Sequence, residues 1–345
     1  MSLIFLNDSN FKLNEGSVNS MENKAYIELL NKNYEKLVNY LSWTIDKRIM
    51  LMLASHYSAE GKTFSFGSFE AVIEEIKRQT SWLSTLRSSS NLLYSVAMLL
   101  DGKEEPHQAV KNLIESEEIL KQAKFKRSAY SYISAIFLTK HSEQKQAHAH
   151  KARKLYDAIR KHHPFLTSHE DMPYSVLLSN NDEDPELRAQ TMNRYYTELR
   201  KNNFALGNHS QWLSQVLTLN SSVYVEQLVP YVVQIRNELV QRKVNLKKEH
   251  YPLIGFLAVA GAKTENINQI VALYEELTKV KLFRWYKSIA FSIALQKVLH
   301  DLANLSDSLD MSIITNLEML IQAEQAITAT TTIAVVADST STSSD

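Results

Sequence analysis

The sequence has no cysteine among its 345 residues, and it has only seven glycines and six prolines. Without cysteine the chain can form no disulfide, no thiol nucleophile and no cysteine-ligated metal site. The shortage of glycine and proline disfavours the many tight turns of an all-β fold. These absences predict a helical protein, and they agree with a reducing compartment such as the cytoplasm.

An excess of charge of either sign is also missing, because 38 Lys and Arg residues balance 38 Asp and Glu residues. A chain without net charge creates no overall field that would draw it to nucleic acid or to anionic lipid. The longest uncharged apolar run before the C-terminal segment, residues 253–262, is about half as long as a membrane-spanning helix. Residues 1–10 lack the features of a secretory signal. We therefore expect a cytoplasmic protein without a membrane partner.

What the chain does contain is a repeat of nearly constant length. Aliphatic residues near the predicted ends of helices, usually preceded by an acidic residue and followed by a basic one, return every 38 to 43 residues. These markers are Leu37, Ile76, Ile119, Ile159, Leu199, Leu239, Leu277 and Leu317. Such a period, with helices on both sides of each link, is typical of stacked helical hairpins that bury their apolar faces against their neighbours.

The repeat predicts an all-α fold, an α-solenoid-like array of about seven to eight helical hairpins of roughly 40 residues each. It occupies residues 21–327 as a single helical-repeat domain. Residues 1–20 are polar and without helical period, which predicts a flexible arm. Ten of the eighteen residues in 328–345 are Ser or Thr, which predicts a disordered tail.

An alternative architecture remains open from the sequence, because the same hairpins could close into an α/α toroid around a central pocket. A closed ring would bring the first and last hairpins together and point carboxylates inward. An open array would leave its ends apart and a long groove exposed. Periodicity alone does not set the angles between hairpins, so it leaves both arrangements possible.

Three stretches, LLYSVAMLLDGKEEP, FKRSAYSYISAIFLT and EHYPLIGFLAV, resemble a family of bacterial, wholly helical proteins of similar length whose function is uncharacterised. The resemblance covers most of the chain before the tail, and it implies a helical fold without bringing any site residues. The hairpin is also similar in size to HEAT and armadillo units.

Motifs that carry chemistry are few. Gly61-Lys62-Thr63 resembles the end of a phosphate-binding loop, but His56 stands where that pattern needs another glycine, which favours a helix end. No G-x-S-x-G or glycine-rich dinucleotide turn occurs. Several histidines crowd one region without the spacing of metal ligands; they are His148, His150, His162, His163 and His169. We predict no metal, no cofactor and no catalytic residue, and enzymatic activity stays open although disfavoured.

A basic patch is formed by Lys151, Lys154 and Lys161 on the predicted helix 145–161. It could meet the phosphates of a nucleic acid or an acidic partner. However, no aromatic residues interleave with the lysines for base stacking, so a solvated helix face is the better interpretation.

Aromatic residues at similar places in successive repeats are more often core than ligand contacts. In a groove, polar donors at Asn208 and His209 beside an exposed Trp212 would suit a peptide backbone. The predicted binding residues are Tyr174, Asn208, His209, Trp212 and His169.

From these features we interpret the protein as a scaffold for a protein or peptide partner. The alternative is an enzyme or small-molecule binder with a pocket enclosed by a toroid. Nucleic-acid binding through the basic helix is the third possibility. The oligomeric state is not determined by the sequence.

Overall fold

The structure of the protein is a computed structural model that describes residues 8–41, 45–138, 142–179 and 183–305. Within these ranges the regular structure consists of fourteen α-helices and four short 3-10 turns, with no strand. The prediction of an all-α protein is therefore confirmed. Among the same residues, no helix combines the length and the apolar character needed to cross a membrane.

The helices alternate between two kinds, which we call outer and inner helices. The outer helices are α1 (Asp8–Leu41), α3 (Phe66–Gln79), α5 (Pro106–Gln122), α7 (Ser142–His162), α9 (Pro185–Lys201), α11 (Leu228–Gln241) and α13 (Thr264–Lys279). The inner helices are α2 (Lys47–Ala59), α4 (Ser90–Leu100), α6 (Ala129–Phe137), α8 (Met172–Leu178), α10 (Asn208–Val216), α12 (Tyr251–Val259) and α14 (Lys287–Leu305). Each outer helix packs against the inner helix that follows it, which makes seven hairpins.

Local signals in the sequence explain several of these boundaries. Proline stands at the first position of α5 and of α9, where its missing N–H costs nothing. The Asp184 carboxylate accepts a hydrogen bond from the Glu186 N–H at 3.0 Å and so caps α9. Gly61 follows α2 with a φ of +67°, a backbone conformation that favours glycine and ends the helix. Gly61-Lys62-Thr63 is thus a helix end.

The two kinds of helix differ in how they are buried. Inner helices are surrounded by protein, as the uninterrupted burial of residues 172–178 in α8 and 252–258 in α12 shows. Outer helices are amphipathic and bury one face only. The repeat markers within the described residues all lie near the ends of outer helices, and most are fully buried. In α5 the fully buried residue is Leu120, while the predicted marker Ile119 is half-buried.

The first hairpin packs against the last. Outer helix α13 contacts α1, and inner helix α14 contacts α2. Contacts also join successive outer helices from α3 to α13. Among the inner helices, side chains bridge α8 and α10, since the Tyr174 and Trp212 rings stack with centroids 6.0 Å apart. The ends of the array therefore meet, which is the arrangement expected of the closed alternative.

Because the two helices of each hairpin are antiparallel, the links from outer to inner helices collect at one end of the ring. We call this end the inner-start face, made of residues 45–46, 80–89, 123–128, 163–171, 202–207, 242–250 and 280–286. The links from inner to outer helices form the outer-start face, whose described residues are 60–65, 101–105, 138, 179, 183–184, 217–227 and 260–263.

The predicted terminal segments are only partly covered by the described residues. Helix α1 begins at Asp8, inside the range 1–20 that the sequence predicts as an arm. The predicted tail, residues 328–345, and the last marker, Leu317, lie outside the described residues.

Candidate ligand site at the starts of inner helices

Inner helix α8 starts from a 3-10 turn, His169–Asp171, that places a carboxylate at the inner-start face. The Ser168 hydroxyl accepts a hydrogen bond from the Glu170 N–H at 3.3 Å. In return, Asp171 Oδ2 accepts from the Ser168 N–H at 2.9 Å. This reciprocal cap satisfies backbone donors at the helix start and holds the Asp171 side chain in one orientation.

The Asp171 carboxylate is fully buried and receives two amides from the neighbouring inner helix α10. Its Oδ1 accepts from Gln211 Nε2 at 2.9 Å and from Gln215 Nε2 at 2.8 Å. These glutamines are four residues apart and therefore lie on the same side of α10. Burial raises the pKa of the Asp171 carboxyl to about 7, although the hydrogen bonds from Ser168 and Gln215 oppose the shift.

Nearer to the surface, polar side chains form the rim of this cluster. Asn208 Nδ2 donates to Glu170 Oε2 at 2.6 Å, which joins the start of α10 to the link before α8. The His209 ring packs edge-on against Trp212 with centroids 5.0 Å apart. Burial lowers the pKa of the His209 imidazole, so this ring is neutral near pH 7.

All five predicted binding residues lie at the starts of α8 and α10, and the structure brings most of them together. Tyr174 stacks on Trp212, His209 packs on the same indole, and Asn208 binds the residue next to His169. His169 itself is exposed and lies 5.2 Å from the Tyr130 ring, measured between centroids.

The predicted exposure of the aromatic partner is wrong, because Trp212 is only 5% exposed. Inner helices are buried on all sides, and the stack on Tyr174 covers the indole. The pattern of aromatic recurrence in the sequence does not distinguish an inner from an outer helix, which is why the exposure was misjudged.

Four buried polar atoms on α10 have no hydrogen-bond partner in the structure: His209 Nδ1, Gln211 Oε1, Trp212 Nε1 and Gln215 Oε1. Buried polar atoms are normally paired with protein or water, so unpaired atoms call for a physical explanation. Here they belong to seven consecutive residues of α10, the helix that begins at Asn208.

Three residues that sequence analysis missed come together beside this cluster. Ser288 Oγ, at the start of α14, lies 3.1 Å from His250 Nε2 and donates to the Glu249 carboxylate. The serine is 38 residues from the histidine, and no local motif marks the pair. Serine, histidine and a carboxylate are also the components of a hydrolytic triad, which makes their hydrogen-bond directions decisive.

The directions of these hydrogen bonds do not allow His250 to activate Ser288 as a nucleophile. The Lys247 N–H donates to His250 Nδ1 at 3.0 Å, so in the neutral ring the proton is on Nε2. Burial lowers the pKa of His250 to about 4 and keeps the ring neutral. His250 Nε2 therefore donates to Ser288 and cannot accept the serine proton, as a general base must.

The remaining histidines serve structural roles or lie at the surface. The buried His148 Nε2 lies 2.8 Å from the Val176 carbonyl oxygen, to which it can donate. The buried His163 ring packs against Tyr196. Within the described part of the chain, no three His, Asp or Glu residues are grouped as they would be around a metal ion.

The basic patch lies on outer helix α7, on the wall of the ring. Lys154 and Lys161 are exposed and Lys151 is half-buried. Lys161 forms an ion pair with Glu186 of the next outer helix. The patch therefore includes a partly neutralised charge, and nucleic-acid binding there stays a prediction from the sequence alone.

Over the part of the chain that the structure describes, the fold is all-helical, with seven hairpins whose first and last members are in contact and with polar side chains buried at the starts of inner helices. The family described as "Protein of unknown function (DUF4003)" matches residues 33–326, and the chain belongs to this family. It is similar to "Uncharacterized protein YeaA" of Bacillus subtilis, with 28% identity over 309 residues, 88% of this chain and 91% of the relative. No solved structure matches it.

Proposed function

We propose that the protein binds a small, hydroxyl-bearing molecule at the seam between inner helices α8 and α10, opening at the inner-start face. The observation that carries the proposal is the group of four unpaired polar atoms at His209, Gln211, Trp212 and Gln215. Each buried group without a partner costs about 1 to 3 kcal/mol, so such a group of atoms is costly unless ordered water or a ligand supplies hydrogen-bond partners.

The chemistry of the atoms indicates the kind of ligand. The two glutamine oxygens are acceptors, and the neutral His209 ring has an acceptor nitrogen. The Trp212 N–H is a donor. Hydroxyl groups donate and accept, which suits a site with several acceptors and one donor. The Asn208–Glu170 hydrogen bond lies one helical turn nearer to the surface, where a ligand would enter.

The meeting of the first and last hairpins supports an enclosed ligand over an extended partner. A peptide-binding solenoid uses a long concave surface between separated ends, whereas here α1 contacts α13 and α2 contacts α14. A protein or peptide partner stays a prediction from the sequence, and ring closure is the observation that we weigh against it. The proposal is of binding, without a reaction.

The test is calorimetric titration of the full chain with a panel of pentoses, hexoses, polyols and amino sugars. We expect saturable binding by at least one class, weakened about tenfold or more when Gln211→Met or Gln215→Met removes a pair of polar groups worth about 1.4 kcal/mol or more. Gln296→Met is the matched control, because Gln296 is a buried glutamine of α14 whose amide is also unpaired.

Absence of binding across the panel would contradict the proposal. Equal binding by the wild type and both α10 variants would also contradict it, because the four atoms would then have no part in recognition. Circular dichroism of each variant shows whether the fold is kept.

A further inference from the structure

Large apolar side chains project into solvent from four separate links of the inner-start face. They are Trp82 at 73% exposure, Leu83 at 72%, Phe165 at 99%, Leu206 at 68% and Trp285 at 82%. Each belongs to a different hairpin except the adjacent pair Trp82 and Leu83. None of them contributes to the core, so folding alone does not explain five such residues at one end of the ring.

The outer-start face exposes less apolar surface than the inner-start face. Among the described residues at the outer-start face, the exposed large hydrophobic residues are Val223 at 59% and Val225 at 38%, with Phe66 at 44% and Leu187 at 40% in the first turns of α3 and α9. They are smaller or less exposed, and no tryptophan is among them. The comparison identifies the inner-start face as the more apolar end of the described structure.

Charged residues are also distributed unequally between the two faces, with basic residues in excess at the inner-start face. Among the described link residues, the inner-start face has ten Lys or Arg against four Asp or Glu, whereas the outer-start face has three against seven. Some charges of both signs are already engaged. Asp171 is fully buried, and Asp46 pairs with Arg48. Three basic residues of this face also form ion pairs, Arg127 with Glu117, Arg242 with Glu238 and Lys247 with Glu249. The apolar end is therefore also the basic end.

Individual anchors combine both properties. Trp285 has Lys281 and Arg284 on its own link, and the Arg284 guanidinium carbon lies 5.4 Å from the centroid of the Trp285 ring. Arg87 shares a link with Trp82, and its guanidinium donates to two backbone carbonyls at 3.2 Å. An aromatic ring beside a cation suits the boundary between phospholipid headgroups and acyl chains.

We propose that the inner-start face docks on an anionic phospholipid surface, with Trp82, Phe165 and Trp285 as anchors. Side chains on separate links around a ring can each enter a lipid interface independently. A protein partner would need a matching pocket for each of them. Basic residues between the anchors are attracted to anionic headgroups, and the apolar and electrostatic contributions add.

This inference is independent of the ligand proposed above, since none of its anchors contributes an atom to the α8–α10 seam. It also differs from the expectation of no membrane partner drawn from zero net charge. A balanced total does not prevent a strongly polarised distribution once folding sorts the links into two faces.

The test is co-sedimentation of the full chain with vesicles of phosphatidylethanolamine and phosphatidylglycerol, compared with vesicles of phosphatidylcholine alone. We expect partition into the anionic vesicles, weaker partition into the zwitterionic ones, and a loss of binding as salt screens the basic residues. Tryptophan fluorescence should shift to shorter wavelength on binding as Trp82 and Trp285 leave water.

Substitutions at the two faces provide the decisive comparison. The triple change Trp82→Ala, Phe165→Ala, Trp285→Ala should weaken partition about tenfold or more, because each anchor buries apolar area in the interface. The matched control is the triple change Phe66→Ala, Val223→Ala, Val225→Ala. These residues lie on the outer-start face or next to it, so the control should leave partition unchanged. All six positions are exposed, so both variants should fold.

Three results would overturn the proposal. The first is no partition into anionic vesicles at low salt. The second is an equal loss of partition in the two triple variants. The third is saturable binding of an acidic protein that needs the anchors while vesicles do not bind, because the face would then serve a protein partner.

Discussion

Asp171 and Gln215 are 44 residues apart in the chain, and the carboxylate accepts a hydrogen bond from the amide at 2.8 Å. The bond joins two inner helices where both are buried. Because the Asp171 carboxyl group is ionisable and fully buried, the stability of the contact between α8 and α10 depends on pH.

Asp171 should make the protein less stable as pH rises. Its folded pKa of about 7 lies above the ordinary value of 3.8, so the folded state holds the proton more tightly than the unfolded state. The stabilisation is present below about pH 4, declines as pH rises through 7, and amounts to about 4 kcal/mol. Urea unfolding at several pH values should show this decline in the wild type and a flatter profile in Asp171→Asn. Asp157→Asn, on outer helix α7, should keep the wild-type profile.

The stability contributed by His250 should change with pH in the opposite direction to that contributed by Asp171. Burial lowers its pKa from 6.5 to about 4, so its contribution to stability is present above pH 6.5 and is lost as pH falls through 4. The loss amounts to about 3 kcal/mol. His250→Gln should reduce the fall in unfolding free energy between pH 6.5 and 4, as measured by urea titration. If His107→Gln, a change at an exposed ring, reduced it equally, the assignment to His250 would be wrong.

The Glu117–Arg127 pair should respond asymmetrically to substitution. Glu117 is 2% exposed and accepts from Arg127 Nη2 at 2.6 Å and from the Ser131 hydroxyl at 3.1 Å. Arg127→Ala leaves a buried carboxylate without its cation and should cost about 2 to 4 kcal/mol. Glu117→Gln should cost less, because the half-exposed guanidinium can reach water. Thermal unfolding of both variants compares the two costs, and a smaller effect of Arg127→Ala would contradict this account.

Gly255 marks a close approach of two inner helices. A Cβ atom at this position would overlap Leu213 Cδ1 of α10. Gly255→Ala should therefore destabilise the protein by about 1 to 3 kcal/mol, even though alanine favours helix. Adding Leu213→Ala should relieve the overlap, so the cost of Gly255→Ala should be smaller in that background. Equal costs in both backgrounds, measured by urea unfolding, would show that the overlap is not the cause.

The succession of helices and links was predictable because its signals are local. Pro106, Asp184 with Pro185, and Thr264 mark helix starts through backbone chemistry that depends on a few neighbouring residues. The markers fall on outer helices because these bury one face and therefore keep a clear period. The inner helices are buried all round, so their sequence does not reveal which side faces which neighbour. For that reason the burial of Trp212 was missed.

The candidate site could be located only in part. The sequence indicated Asn208, His209, Trp212, Tyr174 and His169, and the structure places them at the starts of two neighbouring inner helices. It did not indicate Asp171, Gln211 and Gln215 as a hydrogen-bonded group, nor Ser288 beside His250. These contacts span about one repeat or more, and their partners are selected by how hairpins stack.

The sequence by itself determined the helical class, the period near forty residues and the ends of most hairpins, because capping and apolar periodicity act within single helices. The tertiary structure decided that the first and last hairpins meet. It also decided that Asp171 is buried under two amides, and that charges balanced along the chain are separated between two faces. Those properties depend on the packing angles between hairpins, which are the result of side-chain contacts between distant segments.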